Sequence, residues 1–255
     1  MPARTNYDQI APNYDARYAH GLYDELSKAL RAWVSAHKPE SILEAGCDTG
    51  YWLTALAGLA PHIYGVDASF GMLRQARERG ANCKVVHATA AALPFAPASF
   101  DLVFALNAIH HFGQIEPFIA EARRALRPRG ALVTLGMDPH HGRDKWCVYD
   151  YFPEVRPTDL ARYPSSGQIA DAMLRAGFKR VECTIACRFA HRRIGAAVFD
   201  DPELRRDGCS QMALLTDEQY AAGIERMKSD VRSDKSDGPQ VFEIDIAMMM
   251  LCGEN

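Results

Sequence analysis

Between Ser41 and Leu135 short apolar runs alternate with stretches of helical period, and that rhythm admits few architectures. Ser41–Ala45, Ile63–Val66, Lys84–His87, Phe100–Leu106 and Ala131–Leu135 read as strands. Residues 51–59, 69–79 and 114–127 read as the helices between them, the second closed by Gly80 and the third followed by Pro128 and Gly130. Phe100–Leu106 is almost continuously apolar, which suits a strand buried on both faces. Strands alternating with helices at this spacing imply a parallel sheet with right-handed crossovers. Ahead of it, residues 21–37 set Leu22, Leu26, Leu30, Trp33 and Val34 on one helical face before Pro39. Behind it the rhythm breaks. Residues 137–164 show no clean period, 165–177 read as a helix stopped at Gly177, and Arg180–Arg188 and Val241–Leu251 read as strands. Residues 190–238, with helical stretches near 194–206 and 216–231, are too long for a hairpin loop. With 137–164 they are expected to form a cap, with 233–238 as an exposed turn.

Composition narrows the function. A formal net charge of -3 shows no basic surplus of the kind that long nucleic acid or an anionic membrane selects, so a small-molecule substrate is expected, with neither nucleic acid nor membrane as partner. The seven cysteines are odd in number and include no C-x-x-C pair, so reduced thiols and a cytoplasmic protein are expected. Cys183 and Cys187, four apart in a strand, should face one side. The N-terminal stretch has no apolar core of a secretory signal, and Ile246–Cys252 is too short to cross a bilayer.

The chemistry concentrates in ILEAGCDTGYW, Ile42–Trp52. A strand ends on Glu44 and turns through Gly46 and Gly50 into a helix; glycines there allow a tight turn and close approach of backbone to a ligand at the carboxyl edge of the sheet. Asp67 closes the next strand, 21 residues beyond Gly46, where a carboxylate can accept from both ribose hydroxyls of an adenosine cofactor. The alternative is that Asp67 caps the helix beginning near Ser69.

At these residues the chain resembles the class I S-adenosylmethionine-dependent methyltransferases, in particular the small-molecule branch of the ubiquinone and menaquinone biosynthesis type. NYDQIAPNYDARY resembles an N-terminal helix closing over the cofactor; ILEAGCDTG, VDAS with GMLRQAR, ATAAALPFAPASFDLVFALNAIHHF and RRALRPRGALV follow in the family's order. The resemblance is good over residues 5 to 135 and loose over 160 to 190. It implies a Rossmann-like α/β fold: seven strands in the order 3-2-1-4-5-7-6, the seventh antiparallel, with helices on both faces and a helical cap. Residues 1–38 would cover the site, 39–136 would form the cofactor-binding core, and all 255 residues would make one domain. It also implies S-adenosyl-L-methionine as cofactor, S-adenosyl-L-homocysteine as product, and a monomer or homodimer.

By the same resemblance Glu44 and Gly46 would shape the methionine pocket and Asp67 would hold the ribose. Ala68 and Met72 would wall the adenine, Thr89 and Ala90 would lie at its edge, and Asn107 would sit near the reacting methyl. Tyr14 would reach in from the N-terminal helix; aromatic packing of Tyr7 and Tyr14 is the alternative. Two positions depart from the family pattern: Asp48 stands where the middle glycine is expected, and Thr89 where an acid would accept from the adenine amino group. Asp48 would pair with the cofactor's ammonium or repel its carboxylate.

His110 and His111 follow the fourth strand beside the expected methyl and are candidate general bases, with packing or helix capping as the alternative. Trp146, Tyr149 and Tyr151 in KWCVYDYF either line a substrate pocket or pack the cap. Adjacent histidines such as His140 and His141 make a poor chelate, so no metal is expected. Arg156, Arg162, Arg188, Arg192 and Arg193 could bind an anion, with solvent exposure as the default for each. The reading is a methyltransferase acting on a small molecule, aromatic metabolites included. The alternatives are a cyclisation or rearrangement on the same fold, or a non-catalytic cofactor-binding module. A nicotinamide dehydrogenase is disfavoured because the first turn is not G-x-G-x-x-G.

Overall fold

The computed structural model describes residues 5–18, 21, 23–80, 84–233 and 238–255. Leu22, Cys83 and most of the 233–238 turn therefore lie outside the described residues. The chain opens with α1 (Tyr7–Ile10) and a 3₁₀ segment, Ala11–Tyr18, then α2 (Asp24–His37), β1 (Ser41–Ala45), α3 (Tyr51–Ala55), β2 (His62–Asp67) and α4 (Phe70–Glu78). It continues through β3 (Lys84–His87), β4 (Phe100–Leu106), α5 (Ile115–Ala125) and β5 (Leu126–Met137). Next come β6 (Lys145–Trp146), α6 (Cys147–Tyr151), α7 (Val155–Arg162), α8 (Ser166–Ala176) and β7 (Lys179–Ile194). Two 3₁₀ turns, α9 (Ser210–Ala213), α10 (Asp217–Arg232) and β8 (Val241–Glu254) complete it.

The sheet runs β3-β2-β1-β4-β5-β8, with β7 on the far side of β8 and the two-residue β6 beside it. β1 to β5 are parallel to one another, while β8 is antiparallel to both β5 and β7. With β6 set aside, this is the expected order, the last strand antiparallel. Strand alternation splits the core across the sheet: Leu102, Phe104 and Leu106 of β4 face one cluster, Val103 and Ala105 the other. Leu26, Leu30 and Val34 of α2, Trp52 and Leu53 of α3 and Leu73 of α4 complete the first. Phe118, Ile119 and Ala122 of α5 with Ile169 and Met173 of α8 complete the second. Each such side chain buried wholly from water contributes roughly 1.5–3 kcal/mol.

The structure departs from the sequence reading in the second half. Residues 190–194 belong to β7, not to an insertion, and pair with Val241–Asp245 so that the β7–β8 ribbon runs past the rest of the sheet. Residues 137–164 contain β6, α6 and α7 rather than an irregular stretch. Phe152, Val155, Val198, Met212 and Met227 from this region join the same apolar cluster as α2 and β4, so cap and core share one continuous interior. A register shift between Ile185 and Cys187 turns the two cysteines to opposite faces: Cys187 packs on the α2 side, while Cys183 lies beside Ser166 of α8. The outer strand β7 carries Lys179, Arg180, Arg188 and Arg192, charges of the kind that disfavour edge-to-edge pairing. Among the described residues no helix is long and apolar enough to cross a membrane.

Candidate active site

The turn after β1 is tied to β2, because the Gly46 and Cys47 amides both donate to the Val66 carbonyl, at 2.8 and 3.0 Å. Gly46 has φ +74°, and a Cβ there would lie 2.7 Å from the Ala108 Cβ, so the turn needs glycine on two counts. Gly50, φ +73°, begins α3 against Ala76 and does not line the cavity; its contribution is packing. Asp48 and Asn107 also hold positive φ, at 42° and 49°, which their short polar side chains tolerate. The turn and the ends of β2 and β4 enclose a cavity of about 500 Å³. Gly46, Asp48, Asp67, Ala68, Met72, Thr89, Ala90, Asn107 and Tyr14 all line it.

Three carboxyl groups stand near its floor. Asp67 accepts from the Asp48 amide at 2.9 Å and the Ser69 amide at 2.8 Å, one on each oxygen, while Ser69 itself caps α4. The capping alternative for Asp67 thus gives way to a carboxylate fixed by two amides, with lone pairs left for a ligand. Burial raises its pKa. Asp48 accepts from the Tyr18 hydroxyl at 3.0 Å; burial and then the neighbouring Asp67 push its carboxyl up to about 7. Glu44 is a correction to the sequence reading. It does not line the cavity; it is fully buried behind the floor, both its oxygens lack partners, and burial holds it well above the usual carboxylate range.

The N-terminal segment lies over this floor. Asp8 accepts from the Ser69 hydroxyl and the Gly71 amide, both at 2.7 Å, pinning α1 to the start of α4. Asp15 pairs with Arg79 and accepts from the Thr49 hydroxyl, and the Tyr18 ring stacks on Tyr51 with centroids 3.8 Å apart. Tyr7 and Tyr14, packed edge to face as the aromatic alternative expects, both line the cavity.

A second, smaller chamber of about 60 Å³ adjoins the first and shares Tyr7, Tyr14, Asn107, His110 and His111 with it. Arg17, Trp146, Tyr163, Phe189, Glu203 and Gln211 make up much of the remainder. His110 stacks on Tyr163 at 3.8 Å, and the Tyr7 hydroxyl lies 2.5 Å from His111 Nε2. Burial holds both imidazoles below their usual pKa, helped by the Arg162 and Arg17 charges, and His111 falls to about 3. Both are therefore neutral at physiological pH and weak as proton acceptors.

Of the three aromatics expected at the substrate, only Trp146 lines this chamber. Tyr149 donates to Asp159 at 3.0 Å and Tyr151 to Asp230 at 2.6 Å, and both rings line a separate cleft behind the cap, because α6 turns them away from the junction. Among the arginines, Arg188 pairs with Asp245 and Arg192 with Glu243 at the surface, as the default expects. Arg162 does not: its side chain is 6% exposed, it lines the main cavity, and it pairs with Asp159 at 2.8 Å. Arg17, Tyr163, Glu203 and Gln211 went unread in the sequence, since no spacing singles them out; they meet only when α7, α9 and the N-terminal segment fold together. Among the described residues no group of three or more His, Cys, Asp or Glu is placed to hold a metal ion, and His140 bonds the Tyr163 carbonyl at 2.8 Å.

A protein-family model described as a methyltransferase domain matches residues 43–134, the stretch from β1 to β5 that carries the cavity floor. This stretch is therefore similar to a methyltransferase domain. Proteins similar to the chain include a malonyl-[acyl-carrier protein] O-methyltransferase from Legionella pneumophila, 38% identical over 39% of this chain and 38% of that protein. Another is a demethylmenaquinone methyltransferase from Thermotoga maritima, 30% identical over 57% of this chain and 66% of that protein. The chain thus spans less than two thirds of the length of either relative. A solved structure described as a methyltransferase from an antibiotic biosynthesis pathway of Anabaena variabilis shares the fold, with a TM-score of 0.70, 24% identity, and coverage of 89% of this chain and 96% of that one.

Proposed function

We propose that the protein binds S-adenosyl-L-methionine in the main cavity and transfers its methyl group to a small molecule seated in the adjoining chamber. The observation that carries this reading is the junction itself: a large cavity floored by Gly46, Asp48 and Asp67 opens at Asn107, His110 and His111 into a small aromatic chamber. The residues present suit the cofactor. Asp67 retains free lone pairs for ribose hydroxyls, Met72 and Ala90 offer apolar surface to a purine, and Gly46 leaves the backbone open to close approach. Asp48 offers a carboxylate to an ammonium group. When bound, the cofactor supplies a methyl group on a sulfonium, already activated for displacement.

The protein's own contribution is position and exclusion of water. Tyr7 and Tyr14 cover the junction from the N-terminal side, and the stacked His110 and Tyr163 wall it from the cap. The segments 5–18, 137–164 and 195–232 act as the cover, and acceptor choice lies with them. Direct titration with S-adenosylmethionine and S-adenosylhomocysteine tests the reading: micromolar binding of both is expected, and failure to bind either would sink it.

A further inference from the structure

At Asp48 the cavity floor departs from the glycine of the methyltransferase pattern, and the two oxygens of this side chain are not equivalent. Oδ2 accepts from the Tyr18 hydroxyl at 3.0 Å. Oδ1 faces the Thr49 hydroxyl at 3.2 Å, but that hydroxyl has a single proton and lies closer to Asp15, at 2.5 Å. Arg79 donates to the same Thr49 oxygen at 3.3 Å. With the Thr49 proton committed to Asp15, Oδ1 bonds Thr49 only by donating to it. The hydrogen bonds therefore call for a protonated Asp48 in the cofactor-free protein.

The surrounding charges act in the same direction. Asp67 at the end of β2 and Glu44 on β1 face Asp48 from the sheet, and Cys47 adjoins it on the turn. Asp15, Tyr14 and Arg17 face it from the N-terminal segment. Arg17 opposes the acids, but it bonds the Tyr23 hydroxyl and stands 3.6 Å from Glu203, while Arg79 pairs with Asp15. Burial and Asp67 together raise the Asp48 carboxyl to about 7, so a proton leaves it within the neutral range. Its place on the cavity wall, among acids, favours an incoming cation over a further carboxylate.

We infer that Asp48 sets the specificity of the main cavity: it gives up a proton as it receives the ammonium of the cofactor's amino-acid part, so the site selects ligands that carry that ammonium and holds them more tightly as pH rises. The inference rests on the cofactor reading above and deepens it. Asp48 releases its proton to solvent, and its carboxylate accepts a charge-assisted hydrogen bond from an ammonium that keeps all its protons below about pH 7. Tyr18 continues to donate to Oδ2, which leaves Oδ1 for the ammonium. Pairing with the ammonium releases a proton on binding, whereas repulsion of the cofactor's carboxylate would retain one or take one up.

Calorimetric titration with S-adenosylhomocysteine at pH 6, in buffers of differing ionisation heat, counts the protons exchanged. Release of about one proton is expected, with affinity rising about tenfold from pH 5.5 to 7. 5′-Methylthioadenosine keeps the ribose and adenine but has no ammonium, and should bind without proton release or that pH trend. Asp48→Asn and Asp48→Gly, the latter suited to a φ of 42°, should bind S-adenosylhomocysteine with neither. Tyr18→Phe keeps the ring stack on Tyr51 and removes a donor to Asp48, so the rise in affinity should move to higher pH. Proton uptake or no exchange in the parent would overturn the inference. So would equal release with 5′-methylthioadenosine, which would place the proton on Asp67, or release that survives in both Asp48 variants. Binding without proton release refutes this inference alone; failure of the parent to bind S-adenosylhomocysteine at any pH refutes the cofactor reading, and this inference falls with it.

Discussion

Replacing Asp48 by asparagine should stabilise the cofactor-free protein, increasingly so as pH rises. Asp48 is partly buried beside Asp67, with Asp15 adding repulsion and Arg17 and the Tyr18 hydroxyl opposing it, and its carboxyl rises from 3.8 to about 7. In the unfolded chain it ionises near its ordinary value. Between about pH 4 and 7 the folded state therefore holds a proton that the unfolded state has lost, and stability falls as pH rises through that window. The rise from 3.8 to about 7 converts, at about 1.4 kcal/mol for each pH unit, to about 4 kcal/mol. Partial exposure to the cavity lowers this, and a gain of about 2 kcal/mol for the variant above pH 7 is the expected outcome, roughly 4 °C in Tm for a chain of this size. Asparagine keeps a carbonyl to accept from Tyr18, so that bond is not a confounder. Denaturant unfolding of parent and variant from pH 4 to 8.5 gives the difference curve. It should be near zero at the acid end, climb, and level off above about pH 7. A flat difference would mean that Asp48 ionises normally, and the crowded-carboxylate account of the floor would be wrong.

Asp67→Ala should weaken S-adenosylhomocysteine binding at least about tenfold by calorimetry, since it removes a carboxylate with free lone pairs on the cavity wall; binding as tight as the parent's would sink the ribose assignment. Gly46→Ala forces a Cβ 2.7 Å from Ala108 at a positive φ and should cost about 2 kcal/mol or more in unfolding measurements. Asp8→Ala frees α1 from Ser69 and Gly71, and hydrogen exchange of residues 5–18 should quicken while the β1–β5 amides stay protected. The pH profile of methyl transfer should show no histidine step between about pH 6 and 8, because burial keeps His110 and His111 neutral throughout; a step that vanishes in His111→Gln would restore that residue as a base.

The sheet was legible in the chain because each of its determinants is local. Gly46 must turn backward, β4 must alternate Leu102, Val103 and Phe104 between two interiors, and Asp67 must follow β2, so period and punctuation suffice to place them. The wall of the main cavity follows from the same turns. The smaller chamber is built otherwise. Arg17, Tyr163 and Glu203 come from three separate segments, and each is an ordinary surface residue until α7 packs against α9 and the turn at Pro202–Leu204 packs against the N-terminal segment. Tyr149 and Tyr151 show the converse: an aromatic run points to a pocket, but a helix five residues long fans its rings apart, and these two spend their hydroxyls on Asp159 and Asp230. Arg162 differs from Arg188 and Arg192 in the same way. All three are arginines with an acid in reach, yet of the three only Arg162 has that acid fully buried, which draws the guanidinium inward. Which charges the second half of the chain buries is therefore a property of packing rather than of spacing along the chain.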